Sequence, residues 1–165
     1  YKWSGGGRIP IFCDTTSCTH TLLFETGGDI LTPENREKYK QLKIMDITQW
    51  LKEVVLPESK LFARKIGFYF IRPVPVLLDI ARKCAREVIL PDNWGCCGGS
   101  GDRGFIFPEL SDSATRDERD EIGHESFDGC YSLARTCEIA MQDHIEQPYE
   151  SIVYLVDETI QDQGT

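Results

Sequence analysis

Hydrophobic and polar positions along this chain switch repeatedly between the period of a strand and that of a helix. RIPIFCDTT at 8–16 is apolar and β-branched enough for a strand. The stretch from Gly27 to Glu37, with GGD and TPEN, reads as a loop opening a short polar helix near Pro33. KIMDITQWLKEVVLP at 43–57 repeats Ile47, Trp50, Leu51, Val54 and Val55 at helical spacing, with Asp46 as N-cap and Pro57 beyond the end. KIGFYFI at 65–71 is a second strand, and PVLLDIARKCAREV at 75–88 sets Leu77, Leu78, Ala81, Cys84 and Ala85 on one helical face. VILP at 88–91 is a short buried strand running into WGCCGGSGDRGF at 94–105. Beyond it, PELSDSATRDERDEIG at 108–123 is a polar helix with a solvated face, and TCEIAMQDHIEQ at 136–147 is another helix. YESIVYLVDETIQ at 149–161 holds a final strand, SIVYLV, and a short terminal helix.

Strands alternating with helices predict an α/β fold, a mainly parallel sheet flanked by helices on both faces. Ligands of such sheets sit at the carboxyl ends of the strands. The two adjacent cysteines follow a strand directly, so their loop is where a site is expected.

Charge narrows the partners. The formal net charge of −9 and pI near 4.8 argue against nucleic acid, which needs clustered Lys and Arg. The longest apolar runs, IGFYFI at 66–71 and VPVLL at 74–78, fall far short of the roughly 20 residues that cross a bilayer, so no transmembrane segment is expected. With 165 residues, 41% of them hydrophobic and 27% charged, the chain has the composition of a folded domain. It opens YKWSGGGRIPIF without an initiator Met or a targeting pattern, and reads as a piece of something longer.

Seven cysteines, two of them adjacent, point to a reducing compartment, the cytoplasm by default, with thiolates used for metal or redox work. Vicinal Cys96 and Cys97 can present two sulfurs to one cofactor. The glycines around them let backbone N–H groups approach sulfur, which tunes an iron–sulfur potential. As a phosphate cradle the loop fails, because it lacks GK[ST] and GGSGDRG does not fit GxGxxG.

CCGGSGDRGFIFPELSDSATR at 96–116, YSLARTCEIAM at 131–141 and YESIVYLVDE at 149–158 resemble the cysteine-rich C-terminal region of FAD-linked D-lactate dehydrogenases. The wider group includes the iron–sulfur subunit of glycolate oxidase and the cysteine-rich subunit of heterodisulfide reductase. DTTSCTHTL at 14–22 and the helix at 43–57 extend the likeness over nearly the whole chain. The resemblance implies that Cys96, Cys97 and Cys137 are metal ligands of a second cysteine-rich (CCG) repeat over 43–165, and that Cys18 closes a first repeat whose end and linker occupy 1–42. It implies an iron–sulfur cluster, of 4Fe-4S type, with Gly98, Gly99, Gly101 and Arg103 lining it. The FAD domain would lie upstream in the parent chain or on a separate flavin subunit.

Two departures accompany the likeness. FYFIRPVPVLL at 68–78 lacks the HxxC segment of the relatives, and Ala134 stands where the broader group has the first Cys of a CxxC. A cubane cluster ordinarily takes four thiolates. Other candidates have plain structural readings. Cys84 lies on an apolar helix face and Cys13 inside a strand, both suited to small buried hydrophobes. Cys130 is placed to fold back toward Cys137. His20 and His124 read as solvated loop residues, and His144 as the outer face of its helix. Asp102 and Arg103 form a turn pair, or Arg103 balances the charge of a thiolate site.

The leading expectation is an iron–sulfur electron-transfer module of an FAD-linked 2-hydroxy-acid dehydrogenase, passing electrons from flavin to a quinone or cytochrome-type acceptor, cytoplasmic or peripheral at the cytoplasmic membrane face. Two others stand beside it. One is a structural module that is cluster-free or binds zinc through Cys96, Cys97, Cys137 and a fourth ligand. The other is a thiol or disulfide redox protein working through Cys96 or Cys97, with Arg103 as the cation of the loop.

Overall fold

Short β-branched segments become strands only where a parallel neighbour satisfies their backbone groups. The computed structural model describes residues 1–26, 30–56, 62–68, 75–143 and 148–161, which divide into two compact units, Tyr1–Trp50 and Leu51–Thr165.

In the first unit β1 (Ile11–Cys13) pairs in parallel with β2 (Ile44–Asp46), Ile11 opposite Ile44 and Cys13 opposite Asp46. Between them lie α1 (Thr16–His20), which continues into a π-helical turn over Thr21–Glu25, and α2 (Pro33–Tyr39). Helix α2 opens at Pro33, as the TPEN signature predicts, and Thr32 caps it, its hydroxyl accepting from the Asn35 N–H at 3.4 Å. The strand expected over 8–16 is three residues long, because Thr16 already opens a helix. The helix expected from Lys43 begins only at α3 (Ile47–Trp50), since residues 44–46 pair with β1 instead. Asp46 does cap it: its Oδ1 accepts from the Thr48 N–H at 2.9 Å. His20 ends α1 rather than sitting in a loop, its Nδ1 3.6 Å from Glu25 Oε1.

The second unit opens on a π-helical turn over Leu51–Val55. Its i to i+5 winding brings Leu51 and Leu56 inside, 2% and 3% exposed, and leaves Val54 57% exposed. The α-helical spacing read from the sequence had placed Val54 on the buried face. There follow β3 (Phe62–Phe68), α4 (Pro75–Cys84), β4 (Ala85–Ile89), α5 (Arg103–Ile106), α6 (Pro108–Ile122), β5 (Gly129–Ser132), α7 (Arg135–Gln142), β6 (Tyr149–Ser151) and α8 (Ile152–Gln161). The strands form one parallel sheet in the order β4-β3-β5-β6. This is the mixed α/β, parallel-strand architecture that the alternation predicts.

Three boundaries differ. Helix α4 ends at Cys84, and Ala85 already pairs with Phe62, so β4 starts before the expected Val88. SIVYLV is helical from Ile152: Ile152, Leu155, Val156 and Thr159 recur at i, i+3, i+4 and i+7, and all are buried. Strand β5 went unread because GCYS has no apolar alternation; it is held by β3 on one side and β6 on the other. Residues 69–71 of the expected strand, the rest of the missing HxxC region to 74, and His144 lie outside the described residues.

Helix α4 turns Leu77, Ile80, Ala81 and Cys84 into the core, where it packs on α8. Leu78, expected on that face, is only half-buried. Among the described residues no helix is long and apolar enough to cross a membrane.

Candidate functional site

In the order β4-β3-β5-β6 the chain first steps from β3 to one side, then crosses over to the other, so the topology reverses at β3/β5. Crevices open outside the carboxyl ends of strands at such reversals. The loop after β4 carries Cys96 and Cys97, and the first turn of α7, just after β5, carries Cys137.

Glycine lets the cysteine loop press onto α6. Gly98 has φ +70°, and a Cβ there would stand 2.6 Å from the Leu110 carbonyl oxygen, so a side chain is excluded twice over. The Gly104 N–H closes the loop on the Gly99 carbonyl at 2.9 Å. Before the cysteines, the Glu121 carboxylate on α6 accepts from the Asp92 N–H at 2.7 Å and from the Asn93 N–H and Nδ2 at 2.9 and 3.0 Å. One side chain thus latches the root of the loop.

The two sulfurs of Cys97 and Cys137, 40 positions apart in the chain, come within 2.9 Å in the interior. Cys97 is 2% exposed and Cys137 1%. They share a buried cluster with Cys130, Ile122, Ala134, Ala140, Met141 and Tyr149. The Cys97 thiol is brought down to about 7: Cys137 donates to it, which outweighs the opposing burial, and the Gly99 N–H adds a further donor. Cys137 moves up for the complementary reason, holding the proton beside the Cys97 thiolate, with burial in the same direction. Of the two, Cys97 is the sulfur that gives its proton up, above about pH 7, and Cys137 the one that keeps it.

Around it stand groups that ionise reluctantly. Glu118 of α6 is 2% exposed, and burial, then Glu121, then Cys97 push its carboxyl up to about 9. Among the described residues its Oε1 has no hydrogen-bond partner. The Tyr149 hydroxyl is buried as well, and burial pushes that phenol up, followed by the effects of Cys130 and Glu118. Glu121, by contrast, is lowered: its desolvation is outweighed by the donors at Asn93 and Asp92. A half-open cavity of about 180 Å³ lies beside the pair, walled by Gly99, Gly101, Gly104, Phe105, Thr136 and Ile139 among others. A Cβ on Gly99 would touch Cys97 Sγ at 3.4 Å, so this wall is one atom layer from the sulfur. Cavities of about 150 Å³ hold a benzene ring.

The residues singled out in the sequence divide accordingly. Cys97 and Cys137 meet. Cys96 is exposed beside them, and Cys18 is exposed on α1 of the first unit. Gly98 and Gly99 shape the loop, Gly101 lines the cavity, and Arg103 is exposed at the start of α5. Cys130 does fold into the cluster, by way of β5. Cys84 is buried on α4, as its spacing predicts. Glu118, Glu121 and Tyr149 were not read as site residues. Glu118 carried a signal, since Ser111, Thr115, Glu118 and Ile122 repeat at i, i+4, i+7 and i+11 and all are buried, but the charges around it hid the stripe.

The chain matches no family model, no curated protein and no solved structure.

An iron–sulfur or zinc site would ask more of these residues than they assemble. Two thiolates at about 2.3 Å on one tetrahedral metal stand about 3.8 Å apart, and this pair is closer. Among the described residues no group of three or more His, Cys, Asp or Glu could hold a metal ion. The donor set present is a dithiol, about 0.9 Å short of the bond of about 2.04 Å that would join it.

Proposed function

We propose that the chain is a redox module in which Cys97 and Cys137 cycle between dithiol and disulfide, and that it serves as the cysteine-rich (CCG) electron-transfer part of an FAD-linked 2-hydroxy-acid dehydrogenase. The observation that carries this reading is the meeting of two distant thiols at 2.9 Å in a dry site, one with its thiolate favoured by hydrogen bonds. The second part rests on the sequence resemblance.

The chemistry balances as two electrons and two protons in each direction. The Cys97–Cys137 disulfide takes up two electrons and two protons as it opens to two thiols, and a reduced flavin on the partner domain would be their source. A quinone-type acceptor then takes them from the dithiol, which closes again to the disulfide as the hydroquinone forms. Within the chain, Cys97 is the sulfur that carries charge and Cys137 the one that keeps the proton. The Gly99 N–H orients Cys97, and Met141, Ile122 and Ala140 pack in the same buried cluster as the pair.

The test is anaerobic purification and attempted iron and sulfide reconstitution, with a visible spectrum, an iron, sulfide and zinc count, and peptide mapping after oxidation, all on one sample. The expected product is colourless protein with a reversible Cys97–Cys137 disulfide. Brown protein with matched iron and sulfide would replace the dithiol by the iron–sulfur carrier that the resemblance implies. Stoichiometric zinc would replace it by a structural site.

A further inference from the structure

The buried pair has an access problem that the third thiol solves. Thiol–disulfide exchange requires the attacking sulfur to approach along the axis of the bond it breaks, and its rate depends on that access. Cys97 and Cys137 are 2% and 1% exposed, so neither can reach a disulfide with substituents on both sulfurs. Cys96 is exposed, and it is joined to Cys97 by one peptide bond. Its flanks are permissive: a Cβ on Gly95 would meet nothing within 4 Å, and Gly98 follows at φ +70°.

We propose that Cys96 is the exchange thiol of this site, attacking low-molecular-weight disulfides at the surface and passing the oxidation inward to Cys97 and Cys137. The proposal rests on the reading of the pair as the redox element. In the first step the Cys96 thiolate forms a mixed disulfide with one half of the external molecule and releases the other half as its thiolate. Cys97, the charged member of the pair, then attacks the Cys96 sulfur and expels the second half. The resulting bond between adjacent residues is strained and short-lived. Cys137, 2.9 Å from Cys97, attacks the Cys97 sulfur, frees Cys96 as a thiolate and gives up its proton to a departing thiolate. The net change is one external disulfide reduced to two thiols and one internal disulfide formed. Run backwards, the same steps let external thiols reduce the buried pair.

The division of labour is testable in the full chain with oxidised glutathione as the probe, acid quenching and peptide mapping by mass spectrometry. Wild-type protein is expected to end as the Cys97–Cys137 disulfide without retained glutathione. Cys96→Ser should slow that oxidation tenfold or more, yet leave the rate with hydrogen peroxide, a water-sized oxidant, within about twofold. Cys97→Ser should stop as a glutathione adduct on Cys96. Equal glutathione rates in wild type and Cys96→Ser, or an adduct appearing first on Cys97 or Cys137, would overturn the relay while leaving the redox pair standing. Failure of both oxidants to produce the Cys97–Cys137 disulfide in wild type would overturn the pair and the relay together.

Discussion

Cys84 and Cys97 are equally buried, 0% and 2% exposed, and their thiols move in opposite directions. Cys84 lies between α4 and α8, where burial raises it and a hydrogen bond from Thr159 offsets this only in part. Cys97 meets a second sulfur and a backbone N–H, and these outweigh its burial. Loss of water is common to both positions. What separates a packing thiol from a reactive one is the donors aimed at it, and those come from elements far apart in sequence.

The sharpest way to break this contrast is Cys137→Ala. Without the Cys137 donor, Cys97 should move back up toward its ordinary 9, and its iodoacetamide labelling at pH 7, read by mass spectrometry, should fall roughly fifty-fold, as expected when a thiol with pKa near 7 becomes one near 9. Unchanged labelling would mean that Cys137 is a bystander.

Glu118 sharpens the electrostatic side. Its carboxyl is raised to about 9 from an ordinary 4.5, so the folded state keeps a proton that the unfolded chain has released, and stability falls as pH rises through that interval. Cys97 acts oppositely: lowered from 9 to about 7, it contributes stability that is present above 9 and lost as pH falls through 7. The window from pH 5 to 7 therefore isolates Glu118. There, urea unfolding of the wild type should weaken by up to about 1.4 kcal/mol per pH unit, and Glu118→Gln should remove most of that slope. A slope shared by both proteins would assign it elsewhere.

Gly98→Ala tests the loop that delivers Cys97. Positive φ and the 2.6 Å approach to the Leu110 carbonyl predict a loss of about 2 kcal/mol or more, seen as a lower denaturation midpoint. Glu121→Gln keeps the shape but weakens the latch on residues 92–93, and should cost about 1–2 kcal/mol. The smallest effect belongs to the packing thiol. Cys84→Ala should cost about 1 kcal/mol and leave Cys97 labelling untouched, because it removes one buried atom and no donor.

The architecture was legible because it is written in local periodicity. The apolar face of α4, the opening of α2 at Pro33 and the Asp46 cap of α3 each follow from a few adjacent residues. The errors arose where a neighbour outvoted local preference. Residues 44–46 are strand because β1 lies beside them, Gly129–Ser132 because β3 and β5 pair, and Val54 is exposed because the helix winds in a π turn. The site was half legible. Adjacent cysteines after a strand marked Cys96 and Cys97, and the family resemblance marked Cys137, but nothing in their spacing told which would meet.

By itself the sequence determined the alternation of strands and helices, the acidic charge, the glycine loop after a strand and the chemical identity of the thiols, because each depends on residues within a turn or two of one another. Only the tertiary structure decided that Cys97 would face Cys137 while Cys96 stayed outside, and that Glu118 would be buried near them. Those outcomes depend on the order β4-β3-β5-β6, which brings the loop after one strand onto the helix after another, and a pKa is set by the groups that such packing brings within reach.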